Sequence, residues 1–171
     1  MVPTKIRDAT PADFDAIAAV YNHYIANTVV TFELEPVTPE EIGRRIETVT
    51  RDNPWLVLET GEGVVGYAYA SRWHARAAYR HTLETSVYLS PAACGNGHGR
   101  RLYDELLRRL EGRGVHVLMA GIALPNAASV TLHERLGFVK AAHYTEVGYK
   151  FDRWIDVGYW QKTLTNPIEH A

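Results

Sequence analysis

The stretch from Leu83 to Leu110 constrains this chain more than any other. Leu83-Glu84-Thr85-Ser86-Val87-Tyr88-Leu89-Ser90-Pro91 reads as a β-strand on its β-branched and aromatic residues. Gly95-Asn96-Gly97-His98-Gly99 follows as a glycine-rich turn. Arg100 to Leu110 then reads as an amphipathic helix, with Leu102, Leu106, Leu107 and Leu110 on one face. Three glycines in five residues strip side chains from the backbone where strand becomes helix. Bare N–H groups at a helix N-terminus form a pocket for phosphate, because unpaired donors and the positive dipole end point the same way. Arg100 and Arg101 weaken that dipole but add charge for a polyanion. The plainer reading is a loop that uses glycine only to turn. A dinucleotide fingerprint is excluded, since Arg100 stands where its third glycine belongs. A Walker A loop is excluded too, since no Gly-Lys-Ser/Thr closes the turn. What remains is a pyrophosphate turn of another lineage.

The rest of the chain punctuates clearly. Lys5 to Ala9 is a short strand, and Thr10-Pro11-Ala12-Asp13 opens a helix with Thr10 as N-cap and Pro11 at its first position. Phe14, Ile17, Ala18, Tyr21, Tyr24 and Ile25 recur at helical spacing. Thr38-Pro39-Glu40-Glu41 is a capping box for a second helix, which Asp52-Asn53-Pro54 stops. Trp55 to Glu59 and Val64 to Ser71 form a β-hairpin about Gly61-Glu62-Gly63. Arg72 to Arg80 is a polar and aromatic crossover. Gly112 and Gly114 close the long helix, Val115 to Ile122 is another strand, and Asn126 caps a helix from Ala127 to Leu136 that Gly137 ends. Phe138 to Tyr149 and Trp154 to Leu164 read as a final antiparallel pair. The order predicts one domain over 1–164, a mixed sheet with helices on both faces, and a loose tail over 165–171.

At 171 residues the chain suits one domain with a proper core. A formal net charge of −2 argues against a dedicated nucleic-acid binder. No apolar run approaches the roughly 20 residues of a membrane span, and Met1 to Asp8 lacks a signal-peptide pattern. The single cysteine, Cys94, excludes an internal disulfide and fits a reducing compartment, so a cytoplasmic location is expected. The eight histidines form no H-x-x-x-H or Cys/His cluster, so no metal is expected.

The element order, with the glycine turn after the fourth strand, resembles the GNAT superfamily of acetyl-CoA-dependent N-acetyltransferases. The family's pyrophosphate motif, Gln/Arg-x-x-Gly-x-Gly/Ala, falls on Cys94-Gly95-Asn96-Gly97-His98-Gly99. Its two glycines match, while Cys94 stands where the family carries Gln or Arg. Asn126-Ala127-Ala128-Ser129-Val130-Thr131-Leu132-His133-Glu134-Arg135-Leu136-Gly137-Phe138 resembles the family's Asn-x-x-Ser-x-x-x-(Tyr or His)-Glu-x-x-Gly-Phe helix. Histidine at position 133 is similar to the phosphinothricin and methionine sulfoximine acetyltransferases. So are Tyr21-Asn22-His23-Tyr24-Ile25, Asn53-Pro54-Trp55-Leu56-Val57, Trp73-His74-Ala75-Arg76 and Asp156-Val157-Gly158-Tyr159-Trp160-Gln161. His74 departs from the Lys of the phosphinothricin enzymes.

The resemblance implies an α/β (α+β) fold with a mixed, mostly antiparallel central sheet and helices on both faces. It also implies acetyl-CoA as cosubstrate, held by Val87, Tyr88, Leu89, Gly95, Asn96, Gly97, His98, Gly99, Arg100, Asn126 and Ser129. Backbone N–H near Val87 or Tyr88 would polarise the thioester carbonyl. An acceptor amine with a pKa near about 8 must lose a proton before it attacks. The resemblance assigns that base role to Glu84, which on its own reads as a solvated strand-end carboxylate. His133 would donate a proton to the leaving thiolate or share base duty; on its own it reads equally as a packing residue. Arg76 is the candidate anchor for an anionic group, its guanidinium fork matching carboxylate or phosphinate oxygens. Phe32, Trp73 and Tyr79 are candidate walls of a small acceptor pocket, against the simpler reading of core packing. Cys94 raises a covalent acyl-enzyme route, against which stand the lack of a paired base and the family's direct transfer. Relatives are dimers, so a homodimer is expected, with Trp154 to Gln161 as a contact. The expected reaction is N-acetylation of a small amino acid analogue. Acetylation of protein N-termini and a non-catalytic coenzyme A sensor are the competing readings.

Overall fold

The capping signals fix where the helices begin. Thr38 Oγ1 accepts the Glu41 N–H at 3.2 Å and starts α2 (Pro39–Thr50). Asn126 Oδ1 accepts the Ser129 N–H at 3.1 Å and starts α4 (Ala127–Arg135). The first helix departs from expectation: Pro11–Asp13 is a 3₁₀ turn, and α1 runs Phe14–Asn27. Asp13 explains the tight entry, because its carboxylate takes the Thr10 N–H at 2.8 Å and the Arg7 guanidinium at 2.7 and 2.9 Å. The third helix, α3 (His98–Leu110), starts two residues before Arg100, since Gly97 at φ 76° turns the chain directly into it.

The computed structural model describes residues 4–164; the tail expected over 165–171 lies outside the described residues. Its strands are β1 (Lys5–Asp8), β2 (Trp55–Thr60), β3 (Gly63–Arg72), β4 (Thr82–Leu89), β5 (Val117–Leu124), β6 (Val139–Lys150) and β7 (Arg153–Thr163). They form one sheet in the order β1-β2-β3-β4-β5-β7-β6. All neighbours are antiparallel except β4 and β5, which α3 connects as a crossover. The expected mixed sheet with helices on both faces is therefore the observed architecture.

Alternation along the strands sends side chains to two cores. Trp55, Val57 and Tyr67 pack under α1 and α2 with Ile17, Tyr21, Ile42 and Ile46. Leu56, Leu58, Ala68 and Ala70 pack under α3 with Leu102, Leu106 and Leu110. Each fully buried leucine contributes about 1.5–3 kcal/mol relative to exposure. The sheet is thus anchored on both faces, and a local break within it is tolerated.

That break lies at its centre. β4 and β5 pair only from Thr82–Glu84 to Val117–Met119. Beyond this point β4 stays bonded to β3 as far as Leu89, and β5 to β7 as far as Leu124. Both remain strands while parting from each other. The result is a wedge between two unpaired strand edges.

Candidate active site

Alternate N–H and C=O groups of β4 beyond Glu84 point away from β3 and into the wedge, where no strand meets them. A ligand with amide groups of its own would satisfy them. Thr85, Ser86, Val87 and Tyr88 line one side, and Gly121, Ile122, Ala123, Asn126, Ser129 and His133 the other, around about 60 Å³ of space. At the fork the Thr85 hydroxyl reaches the Met119 carbonyl at 3.3 Å.

Beyond the strand ends lies the glycine turn. Gly95 and Gly97 adopt φ of 79° and 76°, and a β-carbon on either would meet nothing within 4 Å. Their backbone is open to a ligand, and the left-handed φ requires glycine. No side chain caps the first turn of α3, so its N–H groups stay free for an anion. Gly99 serves differently: a β-carbon there would sit 3.2 Å from Leu132, so it lets α3 approach α4.

On the α1/α2 face a cavity of about 740 Å³ opens between the α1–α2 loop and the β6–β7 hairpin. Its wall includes Phe32, Trp73, His74, Glu84, Tyr144 and Tyr159. It shares Val30, Gly121 and Ala123 with the wedge, so the two spaces abut at the fork. Burial pushes the Glu84 carboxyl above the usual carboxylate range, and the neighbouring His74 draws it partly back. A carboxylate so placed is a stronger proton acceptor than a solvated one.

His133 lies across the sheet, on the α3/α4 side, and is 3% exposed. Its Nδ1 sits 2.7 Å from the Ser129 carbonyl, which only accepts, so Nδ1 carries the proton. Its Nε2 lies 2.7 Å from the Tyr103 hydroxyl and accepts from it in the neutral ring. Burial pulls the imidazole below its ordinary value and favours that neutral form. Tyr103 also meets Thr85 Oγ1 at 3.0 Å, so the chain Ser129–His133–Tyr103–Thr85 ends at the fork.

The structure brings Glu84, Phe32 and Trp73 together at the cavity, and Val87, Tyr88, Asn126, Ser129 and His133 together at the wedge. Gly95, Asn96, Gly97 and Arg100 lie exposed at the turn, with Arg100 directed to Asp104 at 3.5 Å. Asn96 and His98 face a separate cleft beside Arg101 and Thr4. The Leu89 carbonyl accepts the Tyr24 hydroxyl at 2.6 Å. Tyr79 meets Trp73 edge-on at 5.3 Å and braces it from behind without forming part of the wall. Arg76 is exposed at the start of the 3₁₀ turn Ala77–Tyr79, outside the cavity lining. Cys94 is exposed, with Sγ 3.5 Å from the Ser90 carbonyl. Among the described residues no group of three or more His, Cys, Asp or Glu is placed to hold a metal, and no helix is long and apolar enough to cross a membrane.

Sequence reasoning passed over Tyr103, Gly121 and Tyr144, and read Tyr159 as part of a subunit contact where it walls the cavity. Gly121 left a signal, because an isolated glycine in an apolar strand marks close approach. Tyr103 left none beyond its place on a helix face.

A strand fork beside a glycine turn and a free helix N-terminus defines the class, and the chain belongs to the GNAT acetyltransferase family. The family's acetyltransferase (GNAT) domain matches residues 6–158. A phosphinothricin N-acetyltransferase of Streptomyces viridochromogenes is 42% identical over 96% of this chain and 90% of its own. An L-methionine sulfoximine/L-methionine sulfone acetyltransferase of Salmonella typhimurium is 38% identical over 97% of this chain and 96% of its own. The structure of a phosphinothricin acetyltransferase from Sinorhizobium meliloti, in complex with acetyl-CoA, superposes with a TM-score of 0.92 at 36% identity, covering 97% of this chain and 94% of that one. The protein is an acetyltransferase, and the resemblance read from its glycine turn and its Asn126–Phe138 helix holds.

Proposed function

We propose that this enzyme transfers an acetyl group from acetyl-CoA to the amino group of a small amino acid analogue of the phosphinothricin or methionine sulfoximine/sulfone type, by direct attack in a ternary complex. The observation that carries this reading is the shared wall of cavity and wedge at Val30, Gly121 and Ala123, directly beside Glu84. The cavity's size suits a small molecule. The names of the relatives supply the acceptor class.

The residues fit acetyl-CoA. Open glycines at 95 and 97 and the free N-terminus of α3 would receive its pyrophosphate, with Asn96, His98, Gly99 and Arg100 around it. The unpaired edge of β4 at Val87, Tyr88 and Leu89 would receive its amide-bearing arm, with Asn126 and Ser129 opposite. Acetyl-CoA supplies an activated acyl thioester. Glu84 takes the proton from the acceptor amine, and a β4 N–H polarises the thioester carbonyl. Coenzyme A thiolate, with a pKa near the about 8.5 of cysteine, is a tolerable leaving group. His133 assists through Tyr103, whose hydroxyl it holds at the wedge. Phe32 and Trp73 enclose the acceptor, Tyr79 supports Trp73, and Arg76 swings over the rim to the acceptor's anionic group.

The enzyme acts in the reducing cytoplasm as a homodimer. Within the expected Trp154–Gln161 contact Ile155, Gly158 and Trp160 are buried, whereas exposed Trp154 with exposed Tyr149, 4.8 Å from it, makes an apolar patch on the β6–β7 hairpin that a second copy would cover. Thiol release from acetyl-CoA, with phosphinothricin, methionine sulfoximine, methionine sulfone and a short peptide as acceptors, tests the reading. Turnover on a small acceptor above the peptide is expected. Preference for the peptide, or coenzyme A binding without turnover on any acceptor, would overturn it.

A further inference from the structure

Lys150 ends β6 and is 3% exposed, a burial that lysine rarely accepts. Its Nζ donates to the Thr31 carbonyl at 2.8 Å, joining residues 119 apart in the chain. The Phe151 ring, 5.2 Å from Nζ, gives the charge a second partner. Two residues back along the same strand, Gly148 leaves room for the Phe32 ring; a β-carbon there would overlap it. Thr31 and Phe32 belong to the α1–α2 loop, which also carries Val30, and Val30 and Phe32 both wall the cavity.

The loop is tied on its other side as well. Tyr21 Oη meets Thr31 Oγ1 at 2.8 Å and donates to Glu33 at 2.9 Å, and Arg45 holds Glu33 at 2.6 Å. Those ties fasten it to α1 and α2. Among the described residues, the Lys150–Thr31 bond is the one side-chain hydrogen bond fastening it to the β6–β7 hairpin, which forms the facing wall. An apolar side chain would fill this place at far less desolvation cost. What the ammonium adds is a directed, charge-assisted bond to one carbonyl.

We propose that Lys150 is a positioning residue for acceptor binding: by holding the Thr31 carbonyl it sets Phe32 and Val30 at the width the acceptor requires, without lining the cavity itself. The proposal rests on the acceptor cavity assigned above. Val30 also reaches the wedge, but the β4 edge and the glycine turn that would hold acetyl-CoA lie outside this loop, so acetyl-CoA binding should change far less than acceptor binding.

Lys150→Met keeps the aliphatic stem and removes the ammonium. The acceptor KM should rise about tenfold or more, with kcat and the acetyl-CoA KM changed by less than about threefold. Lys150→Arg, which retains charge and donors, should recover most of the acceptor KM. Gly148→Ala, on the same strand, displaces the Phe32 ring directly and should give the same split, and it carries the test if Lys150→Met does not fold. A lowered Tm with the acceptor KM unchanged would assign Lys150 a merely structural role and overturn the proposal. So would an acetyl-CoA KM that rises in parallel. Hydrogen exchange in acceptor-free protein separates this proposal from the assigned reaction. Amides of 28–37 should exchange about tenfold faster in Lys150→Met while those of β5 keep their protection. Unchanged loop exchange overturns the positioning role even if wild type acetylates none of the acceptors offered.

Discussion

Glu84 rests against Gly121. A β-carbon at Gly121 would stand 3.2 Å from Glu84 Oε1 and 3.1 Å from the Tyr159 ring, so the bare backbone of β5 is what gives the carboxylate its place. The contact crosses the point where β4 and β5 separate, and it couples the fork to the proton acceptor.

Gly121→Ala should therefore move Glu84 by a few tenths of an ångström without disturbing the core. The expected result is a fall in kcat/KM for the acceptor of about tenfold, with urea stability within about 1 kcal/mol of wild type. Steady-state kinetics beside an equilibrium unfolding curve checks both numbers. Unchanged kinetics would mean that the precise seat of the carboxylate has no bearing on turnover.

The buried carboxylate should also weaken the fold. Glu84 has a folded-state pKa above its unfolded value, so its ionised form is disfavoured in the native protein. The penalty is full at pH values above the folded pKa. It fades as pH falls through that value and vanishes below the unfolded one, near about 4.3. Glu84→Gln should then have a higher Tm than wild type at pH 7 and no advantage at acid pH. Calorimetric scans across that range measure the difference, and a Tm gain independent of pH would point to packing instead.

The elements were legible because their signals are local. Thr38 with Glu41, Asn126 with Ser129, and Gly97 at φ 76° each lie within a turn of the group they serve. The fork was not legible, because periodicity assigns faces to a strand and says nothing of where two strands stop pairing. The same holds for partnerships through space. Tyr103 finds His133 across 30 residues and Lys150 finds Thr31 across 119. The Trp73 to Arg80 crossover shows the limit within a short segment: its aromatic composition marked a pocket, yet Trp73 lines the cavity while Tyr79 braces it and Arg76 stays outside.

Tyr103→Phe separates the two faces of the sheet. It leaves His133 Nε2 without its donor in a buried site, which should cost about 1–3 kcal/mol of stability. If His133 acts through Tyr103, kcat should fall by about tenfold with the acceptor KM preserved. Single-turnover acetylation, with stability followed in urea, reads both effects. Lost stability with full kcat would leave the pair as packing alone.

The most direct measurement compares wild type and Glu84→Gln by coenzyme A release with the best small acceptor at pH 7, alongside calorimetric titration of acetyl-CoA. Glu84 as the base of a direct transfer predicts a drop in kcat of roughly 10²–10⁴-fold with acetyl-CoA affinity unchanged. Equal turnover by the two proteins would contradict the account.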